Sequence, residues 1–177
     1  MVKIDIGCGK VCKDGFEGID ILNFGQKYIM DVRNGIPFKD DEVDEVFSRY
    51  LIPCLTNYGN RFERVNFFNE LYRIMKPNAI ASIIVPSWNS AGGYGNPLFH
   101  EPFYEGALFF LNKDWRIANT PEVIQYTCDF DATWGYNMHP NIVTRNQEYQ
   151  QFALSNYCNS ALDIMITLKK RIANAGT

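Results

Sequence analysis

Apolar positions along the chain change their period several times, and each change marks an element. Residues 2–6 (Val-Lys-Ile-Asp-Ile) form a short apolar run that ends in Gly7-Cys8-Gly9. A run of that length stopping at glycines reads as a buried strand entering a turn. Residues 16–21 read as a second strand and residues 28–30 as a brief third, while residues 42–48 alternate around Val43, Val46 and Phe47 and read as a fourth. The period then lengthens. Between residues 61 and 75, Phe67, Leu71, Ile74 and Met75 share one helical face, with Phe68 and Tyr72 beside it. Arg64, Glu70 and Arg73 are expected elsewhere on that cylinder. Lys76-Pro77-Asn78 ends the helix, because proline lacks the amide hydrogen and asparagine tolerates the left-handed turn. Residues 79–85 are a β-branched apolar run, the pattern of a central strand.

The second half is less sharply written. A loop rich in Gly, Asn and Ser is predicted at residues 87–97 and a short helix at 103–112. Strands are predicted at 122–130 and 162–169. The polar segment between them, 139–159, reads as half loop and half short helix around 147–154. Strands alternating with helices or loops predict an α/β sheet, in which ligands bind beyond the carboxyl ends of the strands.

Composition narrows the function classes. At 177 residues, 46% hydrophobic and 21% charged, the chain fits one domain over residues 1–177 and can bury a core without disulfide or metal staples. Seventeen basic residues against twenty acidic ones, a net charge of −3, argue against a nucleic-acid partner. The basic run Lys169-Lys170-Arg171 is expected to be a strand end entering solvent. Five scattered cysteines, no apolar leader and no long apolar stretch predict a cytoplasmic protein with free thiols and no membrane span. No metal site is expected, since Cys8 and Cys12 lack a second close pair and His100 and His139 stand apart.

Candidate chemistry gathers at the predicted strand ends. Gly7 and Gly9 let the backbone approach a ligand with no Cβ in the way, and Asp5 before them suits a ligand carrying an ammonium or sulfonium better than a phosphate. Gly18-Ile19-Asp20-Ile21 puts an acid at the second strand end, where a carboxylate can accept both hydroxyls of a ribose. At Asp31-Val32 the carboxylate can take an exocyclic amine, while the next amide donates to a ring nitrogen. Taken singly, each acid is an ordinary surface charge; their succession at three strand ends is the signal.

The stretches Asp5-Ile-Gly-Cys-Gly9, Gly18-Ile-Asp20-Ile, Asp31-Val, Ile36-Pro-Phe through Val43-Asp44, and Glu70-Leu-Tyr-Arg-Ile-Met-Lys-Pro77-Asn together resemble the class I S-adenosylmethionine-dependent methyltransferases. The resemblance covers residues 1 to about 86 well and continues loosely through Asn96-Pro-Leu-Phe-His100 and the last predicted strand. It implies a Rossmann-like seven-stranded sheet with the last strand antiparallel. It also implies roles: Gly7, Cys8 and Gly9 beneath the methionine part of the cofactor, and Asp5 facing its amino group. Asp20 and Ile21 would be at the ribose, Asp31 and Val32 at the adenine, and Ser48 and Tyr50 bordering the sulfonium and the acceptor.

The departures carry information too. Gly9 and Asp20 lie too close for a full crossover helix, so the first helix is expected to be reduced or absent and one sheet face open. Val11 and Cys12 stand near the place of the third glycine, and Pro53-Cys54 replaces the Glu-His common after the fourth strand. Ser48-Arg49-Tyr50 stands where base amino-methyltransferases carry Asp/Asn-Pro-Pro-aromatic, which argues against exocyclic DNA amines. His100, after the glycine-rich loop, is the first candidate for a general base, and Tyr94 in Gly92-Gly93-Tyr94-Gly95 for a lid residue. Trp88, Trp115 and Trp134 read as core or rim residues. The expected function is methyl transfer to a small-molecule or side-chain acceptor, chosen by residues 87–101 and 135–146 or by a partner subunit. The alternatives are a catalytically degenerate cofactor-binding or scaffold protein, a module whose open face is completed by a second copy, and a nicotinamide oxidoreductase. The last wants a third glycine opening a helix.

Overall fold

The computed structural model describes residues 1–172. Strands β1 (Lys3–Ile6), β2 (Glu17–Asp20), β3 (Tyr28–Ile29), β4 (Val43–Arg49), β5 (Met75–Pro86), β6 (Phe130–Met138) and β7 (Ala161–Lys170) form one sheet in the order β3-β2-β1-β4-β5-β7-β6. The first five pair in parallel, β7 runs antiparallel to β5, and β6 runs antiparallel to β7. This is the expected α/β sheet with its last strand antiparallel.

The parity of the strands decides what is buried. Ile4 and Ile6, Val46, Ala81, Ile83 and Val85, and Ile164, Ile166 and Leu168 share one face and are at most 2% exposed. Helix α1 (Glu63–Ile74) adds Phe67, Phe68, Leu71 and Ile74 to the same core. On the opposite face Ile80 and Met165 are 43% and 46% exposed, and Glu45, Phe47, Ser82 and Ile84 are half-buried. The chain between β1 and β2 contains turns and no helix, which leaves that face open.

Several elements differ from the expectation. The strand predicted at 122–130 does not form; β6 starts only at Phe130. The side chain of Asn69 on α1 takes the hydrogen bonds a neighbouring strand would have taken. Its Oδ1 accepts from Thr127 N and Cys128 N, and its Nδ2 donates to Gln125 O. Tyr126 and Cys128 still turn inward. The polar segment Asp131–Met138 becomes a strand because β7 offers it a ladder. The region 103–112 forms a 3-10 helix at Glu105–Leu111, followed by an unexpected α3 (Lys113–Asn119), whose start Asn112 caps by accepting from Trp115 N. Within the glycine-rich loop, Ser90 caps a single turn, α2 (Ala91–Tyr94). Two further helices, α4 (Pro140–Val143) and α5 (Gln147–Asn156), lie before β7.

The basic run at 169–171 is also corrected. Only Lys169 faces solvent; Lys170 is 8% exposed and donates to Asp41 Oδ1 at 2.6 Å and Met75 O at 2.7 Å. Arg171 pairs with Asp114 and Asp129. None of the described helices is long and apolar enough to cross a membrane.

Candidate functional site

A cleft of about 440 Å³ opens at the carboxyl ends of β1, β2 and β4. Gly7 forms its floor, Asp20 and Ile21 one side, and Asp31, Val32 and Arg33 the rim. Arg49, Tyr50, Cys54, Leu98 and His100 close the other side.

The glycine turn is sterically specified. Gly7 has φ +72°, and a Cβ there would stand 3.1 Å from Leu51 Cβ. Gly7 N and Cys8 N both donate to Ile19 O, which folds the turn back over β2. Gly18 has a separate reason to be glycine: its Cβ would meet Cys8 Sγ at 2.8 Å and Gln26 Cβ at 2.9 Å. Burial pushes the Cys8 thiol up to about 11, with Cys12, Asp5 and Asp20 adding to the effect, so Cys8 packs as a neutral side chain.

Asp20 is oriented by the backbone. Its Oδ2 accepts from Gly9 N at 2.9 Å and its Oδ1 from Leu22 N at 3.0 Å. Each oxygen retains a lone pair for a further donor. Asp31 starts the 3-10 turn Val32–Asn34 and accepts from Arg33 N at 3.0 Å. The Arg33 guanidinium covers both of its oxygens, with contacts from Nε at 2.9 and 3.0 Å and from Nη2 at 2.7 Å. That pairing holds the Asp31 carboxyl below its ordinary range. Tyr50 adopts φ +62°, a left-handed conformation costly for a residue with a Cβ. It is pinned by Tyr50 N to Ile84 O and by its hydroxyl, which donates to Asp163 Oδ1 at 2.8 Å.

Gly7, Asp20, Ile21, Asp31, Val32, Tyr50 and His100 therefore meet at one cleft. Asp5, Cys8, Gly9, Ser48 and Tyr94 are not in its lining. Asp5 is 2% exposed beneath the turn; its Oδ2 accepts from Lys13 N at 2.8 Å, and its Oδ1 has no partner among the described residues. Burial raises its carboxyl above the ordinary range, against the smaller opposing pull of Lys13. Gly9 contributes through its N–H to Asp20. Ser48 lies on the core face, fully buried, with its hydroxyl donating to Ile6 O at 2.8 Å, so it ties β4 to β1 rather than bordering the cleft. Tyr94 is 69% exposed. His100 is exposed and is held by its own N–H to Pro53 O at 2.8 Å.

Arg64 organises the cleft's far wall and is absent from the sequence reading of the site. It is 7% exposed; its Nε donates to Leu55 O at 2.7 Å and Ile52 O at 3.1 Å. Its Nη2 donates to Glu101 O, and its Nη1 lies 3.3 Å from Glu101 Oε2. One guanidinium thus joins the turn after β4 to the segment after His100. Among the described residues no group of three or more His, Cys, Asp or Glu is placed to hold a metal, and all five cysteines are free.

The fold is shared with solved S-adenosylmethionine-dependent methyltransferases. A S-adenosylmethionine-dependent methyltransferase from Archaeoglobus fulgidus superimposes with a TM-score of 0.66 at 18% identity, over 95% of this chain and 85% of that one. A second, from Methanosarcina mazei, gives 0.56 at 16% identity, over 96% and 92%. Phosphoethanolamine N-methyltransferase 1 of Haemonchus contortus, solved with phosphoethanolamine and S-adenosylhomocysteine, gives 0.61 at 14% identity over 98% of this chain and 40% of that one. At these identities the likeness is one of fold. No protein-family model matches this chain. No curated protein matches its sequence.

Proposed function

We propose that the protein binds S-adenosylmethionine in the cleft beyond β1, β2 and β4 and transfers its methyl group to a small-molecule or protein side-chain acceptor. The observation that carries this reading is the convergence of Gly7, Asp20 and Asp31-Val32 on one cavity of a size ordinary for cofactor sites, about 300–1,000 Å³. The donor set fits the cofactor: a carboxylate with free lone pairs for ribose hydroxyls, a glycine floor open to close approach, and an acid followed by an amide for adenine. When bound, S-adenosylmethionine supplies an electrophilic methyl group on a sulfonium.

The chain's own part is positioning. Asp20 accepts a ribose hydroxyl while the N–H groups of Gly9 and Leu22 fix its angle. Arg33 contacts both oxygens of Asp31, so Asp31 accepts the adenine amine as Arg33 gives up part of that pairing. The buried Asp5 lies beneath the glycine turn and gives it a negative field, which favours a cationic ligand above. Tyr50, Leu98 and His100 bound the cleft's outer side, where an acceptor would approach in line with the departing sulfur. His100 is the group there able to take a proton, if the acceptor has one to lose. Five free thiols agree with work in a reducing compartment such as the cytoplasm.

One observation favours a second reading, a cofactor-binding protein without transfer activity: on the cleft's outer side the Tyr50 hydroxyl already donates to Asp163, and His100 is exposed. Calorimetric titration with S-adenosylmethionine and S-adenosylhomocysteine tests the shared part. Saturable one-to-one binding is expected; silence up to about 1 mM overturns both readings. Methyl transfer from labelled cofactor across a panel of amines, thiols, carboxylates and peptides separates them.

A further inference from the structure

The residues on the open face of the sheet stand in register rows. One row crosses five strands: Lys3 of β1, Glu45 of β4, Ile80 of β5, Lys169 of β7 and Asp131 of β6. Phe47, Ser82, Thr167 and Thr133 form the next row, and Ile84 and Met165 stand beyond it. Ile80, Met165, Thr167, Lys169, Thr133 and Asp131 are exposed. A Cβ on Gly135, beside Met165, would meet nothing within 4 Å. Parallel strands such as β1, β4 and β5 are almost always covered on both faces. Here helix α1 covers one face, while Phe16 and Lys13 cover only the Phe47 end of the other. The apolar centre of the open face, Ile80 and Met165, is left to water.

The charges on this face select its occupant. Lys3, Lys13, Arg49 and Lys169 oppose Glu45, Asp131 and Asp163, so neither a polyanion nor an anionic bilayer gains from the field here. Along the first row the order is positive, negative, apolar, positive, negative, which is its own complement about β5. A two-fold axis lying along β5 carries β4 onto β7 and β1 onto β6. It places Glu45 opposite Lys169 of a second copy, Lys3 opposite its Asp131, and Ile80 opposite its Ile80. Within one chain Lys3 already reaches Glu45 Oε2 at 2.5 Å. The other groups are less well served: Lys13 lies 4.0 Å from Glu45 Oε1, Arg171 lies 3.7 Å from Asp131, and Lys169 enters no ion pair among the described residues.

The packing of sheets allows this pairing. Two sheets stack about 10 Å apart with strands crossing at about 30°. With strands about 4.8 Å apart, that angle displaces a residue one strand from the axis by about 2.5 Å, which lysine and glutamate side chains span. We propose that the open face is the contact surface of a two-fold dimer of this chain, with β5 on the axis and Glu45 of each copy paired with Lys169 of the other. The assignment does not depend on the cofactor reading.

The test is sedimentation velocity on the full chain between about 1 and 100 µM. A concentration-dependent species with the mass of two chains is expected. Ile80→Asp, at an exposed position, brings two carboxylates together on the axis and should leave the chain monomeric over that range. Glu45→Lys and Lys169→Glu should each weaken association at least about tenfold. Combined in one chain, the two reversals restore unlike charges between copies and should return association to within about threefold of the parent. If the charges serve only neighbours on the same sheet, that combination restores nothing. The pair Lys3→Glu with Glu45→Lys would then do so instead, and that result would overturn the proposal. So would a monomer at every concentration, whatever else binds the face, or a dimer indifferent to Ile80→Asp. Circular dichroism matching the parent qualifies each variant, and Ile80→Asp keeps the proposal refutable if the swapped pair does not fold.

Discussion

Arg64 joins two stretches of chain that are far apart in sequence, and its removal should loosen the cleft before it unfolds the protein. Arg64→Met keeps an apolar stem of similar length in the helix and removes every donor. The carbonyl of Leu55 is then orphaned in a buried position and that of Glu101 in a half-buried one, while Ile52 O keeps the N–H of Leu55. A buried acceptor left without its donor costs about 1–3 kcal/mol, so Leu55 O alone puts about that much at stake, and Glu101 O adds less. Part of this returns, because a guanidinium need no longer be desolvated; its burial already holds the Arg64 pKa below the usual range. The ion pair with Glu101 adds little, since that carboxylate is 39% exposed. The net expectation is a loss of about 2 kcal/mol in urea unfolding. Amide exchange should be accelerated selectively at residues 52–56 and 98–102. Arg64→Lys should fall between the two, because one ammonium cannot span both carbonyl groups. A loss under about 0.5 kcal/mol, the size of an ordinary surface change, would refute the reasoning. So would a destabilisation spread evenly over the chain.

Three further expectations follow from the turn. Asp20→Ala should weaken cofactor binding by about 1–3 kcal/mol and also release Gly9 N, whereas Asp20→Asn keeps one oxygen and should spare more of the stability than of the affinity; calorimetry beside urea unfolding reads both, and unchanged affinity in either variant would move the ribose elsewhere. Gly18→Ala drives a methyl to within 2.8 Å of Cys8 Sγ and should cost about 1–3 kcal/mol. Placed in a Cys8→Ala background, the same change should cost less, and an equal cost in both backgrounds would show that the sulfur is not the obstacle. Asp5 supplies a pH dependence. Its folded carboxyl sits above the ordinary value, so the folded state holds the proton longer, and this group's contribution falls as pH rises from the ordinary carboxylate range through the raised one. Asp5→Asn removes that slope and should gain stability relative to the parent between pH 4 and pH 7. A difference that stays constant across that range would refute the assignment.

Most of the parallel half of the sheet was legible because its strands are short apolar runs stopped by glycine or acid. Helix α1 was legible because its stripe repeats over about three turns. Two misplacements could have been avoided by parity. Ser48 stands two residues from Val46 and therefore shares its core face. Arg64 stands three residues from Phe67 and four from Phe68, which puts it at the head of the apolar stripe. The failure at 122–130 is of another kind. Tyr126 and Cys128 carry a strand-like alternation, yet their backbone partners come from the side chain of Asn69, nearly 60 positions earlier. No local pattern distinguishes an inward-facing segment held by one asparagine from a strand. Likewise β6 is a strand because β7 lies beside it.

The missing first helix explains why the acids of the glycine turn are placed as they are. A glycine turn that opens a helix has its amides satisfied or aimed by that helix. Here residues 7–16 form turns only, and their amides need other acceptors. Asp5 takes Lys13 N from below and Asp20 takes Gly9 N from the side, so two carboxylates do what a helical turn would do. Phe16 and Lys13 then lie over Phe47 and cover part of the sheet that a helix would have covered. It follows that Asp20 holds the turn whether or not a ligand is present, and that a ribose would bind a carboxylate already set in place. It also follows that Asp5 serves the turn first, and acts on any ligand as a field across the backbone it supports rather than by contact.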